Sequence, residues 1–370
     1  MGICTVDEKA ELVAICSLPG ITRRQVKELL TLFGSPAGAW EAIRGGYSRG
    51  VSTGGRSIDL QSPALGIDPG KNLESLEARG IRTVVVCEGG YPRLLKEISD
   101  PPWVIFYRGR LPPFEAKCIA VVGSRKATPY GIEAAGWIAR GLSREESYVV
   151  SGAAYGIDSA AHRGALEAGG TTAAVLGCGP DVVYPRSSGG LLNAIAEKGC
   201  VLSEYPPGVK PLKHHFPARN RLIAGMSLGV VVVEASRTSG ALLTADFALS
   251  EGREVFAVPG QVFSNNSNGT NALIKNGAML AASVEDILEG LNLASVDAPK
   301  LEIASEQLEA GERKFLDALA AGPHDVEELA GKADLSMGET LSRLSRMEVM
   351  GLVRRGPGGI YHVTSRSTKK

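Results

Sequence analysis

The feature that most constrains this chain is a device repeated along residues 118–260. A short, apolar, β-branched run stops in Gly, Ser or Thr and hands over to a helical pattern. CIAVVGSRKATPYG opens the stretch, and YVVSGAAYGID, TTAAVLGCGPDVVYP and LGVVVVEASRTSGALLTA repeat it. Apolar runs without polar alternation read as strands buried on both faces, as in a parallel sheet. The pattern predicts strands at 119–122, 148–150, 171–176, 201–203, 228–233 and 255–258, with helices near 130–142, 157–168, 191–198, 220–226 and 240–252. Alternating units of this length need right-handed crossovers. The expected fold is therefore α/β, a Rossmann-like, doubly wound and mostly parallel sheet. Its Gly- and Ser-rich turns gather at the carboxyl edge, where free backbone N–H groups suit a phosphate.

The flanks read differently. Residues 8–45 carry two helical stripes, one of Leu12, Ile15, Cys16 and Leu18, the other of Val26, Leu29, Leu30 and Phe33. The turn between them, Leu18-Pro19-Gly20-Ile21-Thr22, fits a helix–hairpin–helix that holds a phosphate, or a plain αα-hairpin. Residues 45–57 are Gly/Ser-rich and read as a flexible connection; strands at 82–87 and 104–107 lead into the central domain. A patternless stretch at 291–308 reads as a linker. Helical patterns at 313–320, 326–330 and 337–350 follow, the last with Leu341, Leu344 and Met347 on one face. Two apolar runs around Gly-Pro-Gly-Gly complete the order of a winged helix, whose basic residues are Arg343, Arg346, Arg354 and Arg355. The expected domains are 1–64 (helical), 65–290 (Rossmann-like), a linker at 291–308, a winged helix at 309–364 and a basic tail at 365–370.

No apolar run is long enough to span a bilayer, and the N-terminus has acids where a signal peptide has bases. The expectation is a cytoplasmic protein without membrane insertion. Six cysteines are scattered without a CxxC pair, so neither a zinc site nor a disulfide framework is expected. Net charge is zero, so a nucleic-acid binder must concentrate its cations locally. One segment does so. Between Glu204 and Glu234 there is no acid, while Lys210, Lys213, His214, His215, Arg219 and Arg221 flank Phe216. Cations take phosphates and a ring stacks on a base, which suits a single strand. The alternative has Phe216 in the core and the cations as solvated surface. His214 and His215 lack a third metal ligand.

Other motifs are weaker alone. Gly123-Ser124-Arg125 ends a strand with N–H and O–H donors and a guanidinium fork, or is a tight turn with a surface Arg. Ser151 and Gly152 open a loop that allows close backbone approach. Asp158 and His162, four apart, suit a helix cap with a local hydrogen bond better than an acid/base pair. Glu234 at a strand end, before the Ser236–Gly240 turn, is a base, a ribose ligand or an ion-pair partner. Cys178 has no accompanying base and reads as a packed thiol.

Together these residues resemble the DprA/Smf family of DNA-processing proteins. The resemblance spans most of the chain and is densest over 121–278, in VGSRKATPYG, SGAAYGIDSAAH, GCGPDVVYP, SEYPPG, FPARNRLIAGMS, EASRTSGALLTADFALSEGREVFAVPG and SNGTNALIKNGA. It departs at Tyr155, where many members carry a basic residue. The resemblance implies a protein that is not an enzyme and has neither catalytic residue nor cofactor. It implies binding and protection of incoming single-stranded DNA, loading of a RecA-type recombinase, and a homodimer built through the Rossmann-like domain. By motif, Ser124 and Arg125 hold phosphate, and Lys213 pairs with phosphate beside Phe216, which stacks on a base. Arg219, Asn220 and Arg221 complete the pocket, and the loops of Gly123, Gly152 and Gly240 line it. Two other readings stay open: nucleotide N-glycosidic hydrolysis through Glu234 and Arg125, and duplex recognition through 337–350. Val284, Ile287 and Leu288 are either an apolar contact patch or core.

Overall fold

Burial explains why the apolar runs become strands. Cys118–Val122 (β3), Thr172–Leu176 (β5), Cys200–Ser203 (β6) and Gly229–Val232 (β7) are buried at every position. Nothing along them alternates because helices cover both faces. The computed structural model describes residues 8–47, 52–53, 56–57, 59–293, 310–322, 324–349, 352–355 and 360–363. The expected linker beyond residue 293, the Gly-rich turn at 356–359 and the basic tail lie outside them, as does part of the 45–57 connection. The chain forms two compact units, Met1–Leu291 and Asn292–Lys370.

The first unit holds a sheet of nine strands. With Arg82–Val85 as β1, Val104–Gly109 as β2, Tyr148–Ser151 as β4, Glu254–Ala257 as β8 and Met279–Leu280 as β9, the order is 9-8-7-3-4-5-6-2-1. Strands β9 to β6 run parallel; β2 and β1 are antiparallel to their neighbours. The predicted Rossmann-like sheet is thus present, mostly parallel, with an antiparallel edge. The chain winds outward from β3 to β6, then returns to the other side of β3 for β7, β8 and β9. That reversal opens a crevice beyond the carboxyl ends of β3 and β7.

Helices α1 (Lys9–Cys16), α2 (Arg23–Phe33) and α3 (Pro36–Arg44) form the N-terminal helical part. Leu12, Ile15, Leu30 and Ile43 pack there in one core with Val85, Val104 and Phe106 of β1 and β2. Thr22 caps α2 in a reciprocal box with Gln25. The helices that follow strands β3 to β7 are α4 (Pro129–Arg144), α5 (Ile157–Glu167), α6 (Gly189–Lys198), α7 (His215–Gly225) and α8 (Gly240–Ser250). Helix α7 begins five residues before the sequence pattern places it. Pro217 reads as a breaker, yet it stands in the first turn, where its missing N–H leaves no bond unmade. Helices α9 (Asn268–Lys275) and α10 (Val284–Gly290) end the unit. Val284, Ile287 and Leu288 are buried, so they are core and not a contact patch.

The second unit has helices α11 (Ala310–Ala321), α12 (Val326–Ala333) and α13 (Met337–Val349), then the antiparallel pair Val353–Arg355 and Tyr361–Val363. Phe315, Leu329, Leu344, Met347 and Tyr361 form its core, which is the winged-helix arrangement. Leu341, expected on the buried stripe, is 41% exposed; the buried residue one turn before Leu344 is Thr340. Among the described residues, no helix is long and apolar enough to cross a membrane.

Candidate nucleic-acid interface

The crevice at the strand reversal is a cleft of about 700 Å³. Much of its lining comes from three places that the sequence pattern marks separately. The turn after β3 contributes Gly123, Ser124, Arg125 and Lys126; α7 contributes Phe216, Arg219 and Asn220, with Lys213 just ahead of it; the start of α8 contributes Gly240. Close approach explains the glycine that ends β3. A Cβ on Gly123 would stand 2.6 Å from Ile157 and 2.9 Å from the Glu234 carbonyl. Any side chain there would push α5 or the β7 end aside.

Phe216 is half-buried, with the Arg125 guanidinium over its ring at 5.1 Å and the Tyr184 ring beside it at 5.2 Å, tilted by 34°. The ring is therefore neither core nor free surface; it is the floor of an aromatic–cationic recess. Tyr184 is 39% exposed and was not among the predicted site residues. Its signal in the sequence was an aromatic within the VVYP stretch that follows a strand. Lys126, beside Arg125 on the lining, was also missed.

Charge in the cleft is one-sided. Arg125, Lys126 and Lys213 are exposed, and none forms a salt bridge among the described residues, although the Arg125 charge also acts on Asp158. Asp158 is the one carboxylate on the described lining, and it is committed. Its Oδ2 accepts the Gly152 and Ala154 N–H groups at 3.2 and 3.3 Å, which holds the loop before α5. Burial raises its pKa, and the Arg219 charge opposes that rise.

Arg219 occupies the floor and is 4% exposed. Its guanidinium donates to the carbonyls of Gly152, at 2.8 Å, and of Val175. A Cβ on Gly152 would lie 2.5 Å from that guanidinium, so glycine makes the bond possible. Burial lowers the Arg219 pKa to about 10, with Asp158 acting against the fall, so it stays charged at neutral pH. Asn220 donates from Nδ2 to the Gly240 carbonyl at 3.1 Å and ties α7 to α8.

Three predicted residues lie elsewhere. Gly152 lines a narrow recess that adjoins the cleft. Ser151 is fully buried, and its hydroxyl donates to the Val121 carbonyl at 2.7 Å. Arg221 is not in the cleft. Two positions after Arg219, it leaves the opposite side of α7. There it grips Glu204 with two hydrogen bonds of 2.6 Å and also donates to the Asp100 carbonyl. Arg23 joins this network from α2, pairing with Glu204 at 3.3 Å and with Asp100.

The candidates for catalysis are also spoken for. Glu234 is 3% exposed and accepts the Thr128 N–H at 2.9 Å and its hydroxyl at 2.5 Å. It thereby braces the N-terminus of α4 and lines a separate recess with Tyr130 and Gln261. His162 does not meet Asp158. Its Nδ1 lies 2.7 Å from the Thr172 hydroxyl, which itself donates to the Val149 carbonyl at 2.6 Å. The proton of that contact therefore sits on Nδ1, and Nε2 is buried with no partner. Burial, then the Arg219 charge, pushes the His162 pKa down to about 3. Cys178 is 1% exposed, and burial lifts its thiol to about 11. No cluster of His, Cys, Asp and Glu among the described residues has metal-binding geometry.

Residues 82–292 match the family described as DNA recombination-mediator protein A, and residues 299–359 match the DprA winged helix domain. Protein Smf of Synechocystis sp. is 32% identical over 391 residues, covering 96% of this chain and 98% of that protein. DNA processing protein DprA of Streptococcus pneumoniae is 48% identical over 198 residues, covering 54% of this chain and 70% of that protein. The solved structure of the Streptococcus pneumoniae protein superposes with a TM-score of 0.65 at 36% identity, over 76% of this chain and 97% of that one. DNA processing protein A from Helicobacter pylori, in a structure concerned with its single-stranded DNA binding mode, gives a TM-score of 0.52 at 29% identity, over 57% of this chain and 95% of that one.

Proposed function

This chain belongs to the DprA/Smf family of DNA-processing proteins, and from that premise we propose that it binds single-stranded DNA in the carboxyl-edge cleft. The observation that carries the reading is the recess at Phe216: an accessible ring between Arg125 and Tyr184, beside exposed cations that form no salt bridge among the described residues. A base stacks on Phe216 in place of the Arg125 guanidinium, which swings to the adjoining phosphate. Lys126 and Lys213 take neighbouring phosphates. Arg219 and Asn220 act underneath, as the groups that hold the loops in place. Gly123, Ser124 and Gly240 bring backbone and hydroxyl donors to the strand.

The role we infer is binding and delivery, which the engagement of Glu234 with Thr128 and of His162 with Thr172 supports. By family, the strand is incoming DNA in transformation or recombination in the cytoplasm. The protein shields it and hands it to a RecA-type recombinase, as a homodimer through the first unit. The Helicobacter pylori relative supports the choice of single strands over duplex. Two commitments in the second unit and the hairpin turn weigh against duplex reading: Arg346 faces Glu312 at 3.7 Å, and Arg23 is tied to Glu204 and Asp100.

The test is fluorescence anisotropy with labelled oligo-dT and a duplex of equal length over a salt series. Single strands should win, and affinity should fall steeply with salt as counterions are released. Arg125→Ala and Phe216→Ala should each weaken binding. Equal duplex binding, indifferent to both substitutions, would move the interface out of the cleft.

A further inference from the structure

A second group of cations and rings lies at the opposite edge of the sheet. Strand β6 runs parallel to the central strands from Cys200, and Gly109 of β2 stands opposite Cys200. Arg82 of β1 stands opposite Tyr107 of β2. Arg82 and Arg110 therefore mark the amino edge, whereas the cleft opens beyond the carboxyl ends of β3 and β7. Here a pocket of about 320 Å³ is lined by Arg82, Arg110, Tyr107, Leu111 and Phe114. The Arg93 guanidinium lies over the Phe114 ring at 5.7 Å. Phe114 is 56% exposed, on the loop that leads into β3.

The three guanidiniums are exposed, and none has an acidic partner among the described residues. Arg82 reaches the Tyr107 phenol, which burial keeps neutral. Nearby acids are engaged or uninvolved. Glu88 is held by Lys9 at 3.0 Å and by the Val85 N–H at 2.7 Å; Glu97 is paired with Arg253; Glu115 pairs with none of the three arginines. Elsewhere, the arginines of the first unit include many that face carboxylates, as Arg23, Arg79, Arg140 and Arg221 do. In a chain of zero net charge, three unneutralised guanidiniums around one exposed ring make a strong local field. Guanidinium forks match phosphate oxygens, and a ring with a cation across it matches a planar base.

We propose that the pocket of Arg82, Arg110 and Phe114 is a second nucleotide-binding site, distinct from the cleft. It takes a nucleoside phosphate: Arg82 and Arg110 hold the phosphate, and Phe114, with Arg93, takes the base. The ligand is either a free nucleotide or a unit of the same single strand that occupies the cleft; the second source rests on the function proposed above.

The full chain and the double variant Arg82→Ala/Arg110→Ala, with Phe114→Ala as a separate variant, test it. The probes are labelled dTMP and oligo-dT of about four or about thirty nucleotides, lengths below and above what one binding groove tracks. If the ligand is free nucleotide, an Arg125→Ala/Phe216→Ala cleft variant still binds dTMP, and adding the double substitution to it removes that binding. If the ligand is strand, the double variant binds the short oligonucleotide as wild type does. It then binds the long one roughly tenfold more weakly, with a salt slope shallower by about 1.4 for two lost contacts to a single strand. Phe114→Ala should follow the double variant in affinity without the change in slope. The proposal is overturned if neither dTMP nor the long oligonucleotide distinguishes these variants from wild type. Failure of the cleft reading looks different: the cleft variant then binds the short oligonucleotide as wild type does.

Discussion

In the cleft, Arg125 is exposed, forms no salt bridge among the described residues and rests on an aromatic ring. Behind α7, Arg221 is 6% exposed and fully engaged with Glu204 and the Asp100 carbonyl. In the function proposed above, the same side chain serves recognition in one place; in the other it serves cohesion. What differs is the company it keeps. A cation in water with no acid nearby can exchange counterions for phosphate at little cost. A buried cation is held by its partners, and the Glu204–Arg221 pair, with Arg23, joins α2 to the first unit's sheet. A count of basic residues along 205–233 cannot separate the two, because that difference lies in burial and in residues distant along the chain.

The sharpest way to break this comparison is Arg221→Leu. It strands the Glu204 carboxylate, whose pKa burial already raises against the pull of Arg221 and Arg23. Urea denaturation should show a loss of about 3–5 kcal/mol, while the folded fraction binds oligo-dT with wild-type affinity. Intact stability with lost binding would place Arg221 in the interface after all.

A second prediction concerns the scaffold under the cleft. His162 has a folded pKa of about 3 against an ordinary 6.5. Between those values the unfolded chain binds the extra proton and the folded chain does not. Stability is therefore fully present above pH 6.5 and falls as pH drops toward 3. The loss is about 1.4 kcal/mol per pH unit within that window. His162→Gln should flatten this acid limb in urea midpoints measured against pH. An unchanged limb would mean that Nε2 finds an acceptor.

Third, Arg125→Ala should leave stability within about 0.5 kcal/mol, as an exposed substitution does, and reduce the slope of log affinity against log salt by about 0.7, the value for one contact to a single strand. Phe216→Ala should cost about 1–3 kcal/mol of single-strand affinity with the slope unchanged. The smallest effect is expected at Glu234→Gln. It weakens the brace on Thr128 and should lower stability by about 1 kcal/mol, read as a modest fall in melting temperature, with oligo-dT binding unaffected. Loss of binding there would extend the interface toward the Tyr130 recess.

Much of the fold was legible because its cause is local. Runs such as CIAVV and GVVV cannot be solvated on either face, so they enter a sheet covered on both sides. Gly, Ser and Thr after each run make the turns that line the cleft. Ser124, Arg125, Lys213, Phe216, Arg219, Asn220 and Gly240 all line it. The start of α7 was misplaced because Pro217 acts as a breaker in a helix interior and is harmless in a first turn.

The sequence by itself determined the strand-and-turn rhythm, the winged-helix order and the concentration of cations around Phe216. Those follow from periodicity and composition, which act over a few residues. Only the tertiary structure decided what each charged group is for. It turned Arg221 away to Glu204, set Arg219 beneath the cleft on the carbonyls of Gly152 and Val175, and brought Tyr184 against Phe216. It also gave Glu234 to Thr128 and His162 to Thr172. A charge takes its role from its solvent exposure and its nearest partner, and in a doubly wound sheet those partners come from distant stretches of chain.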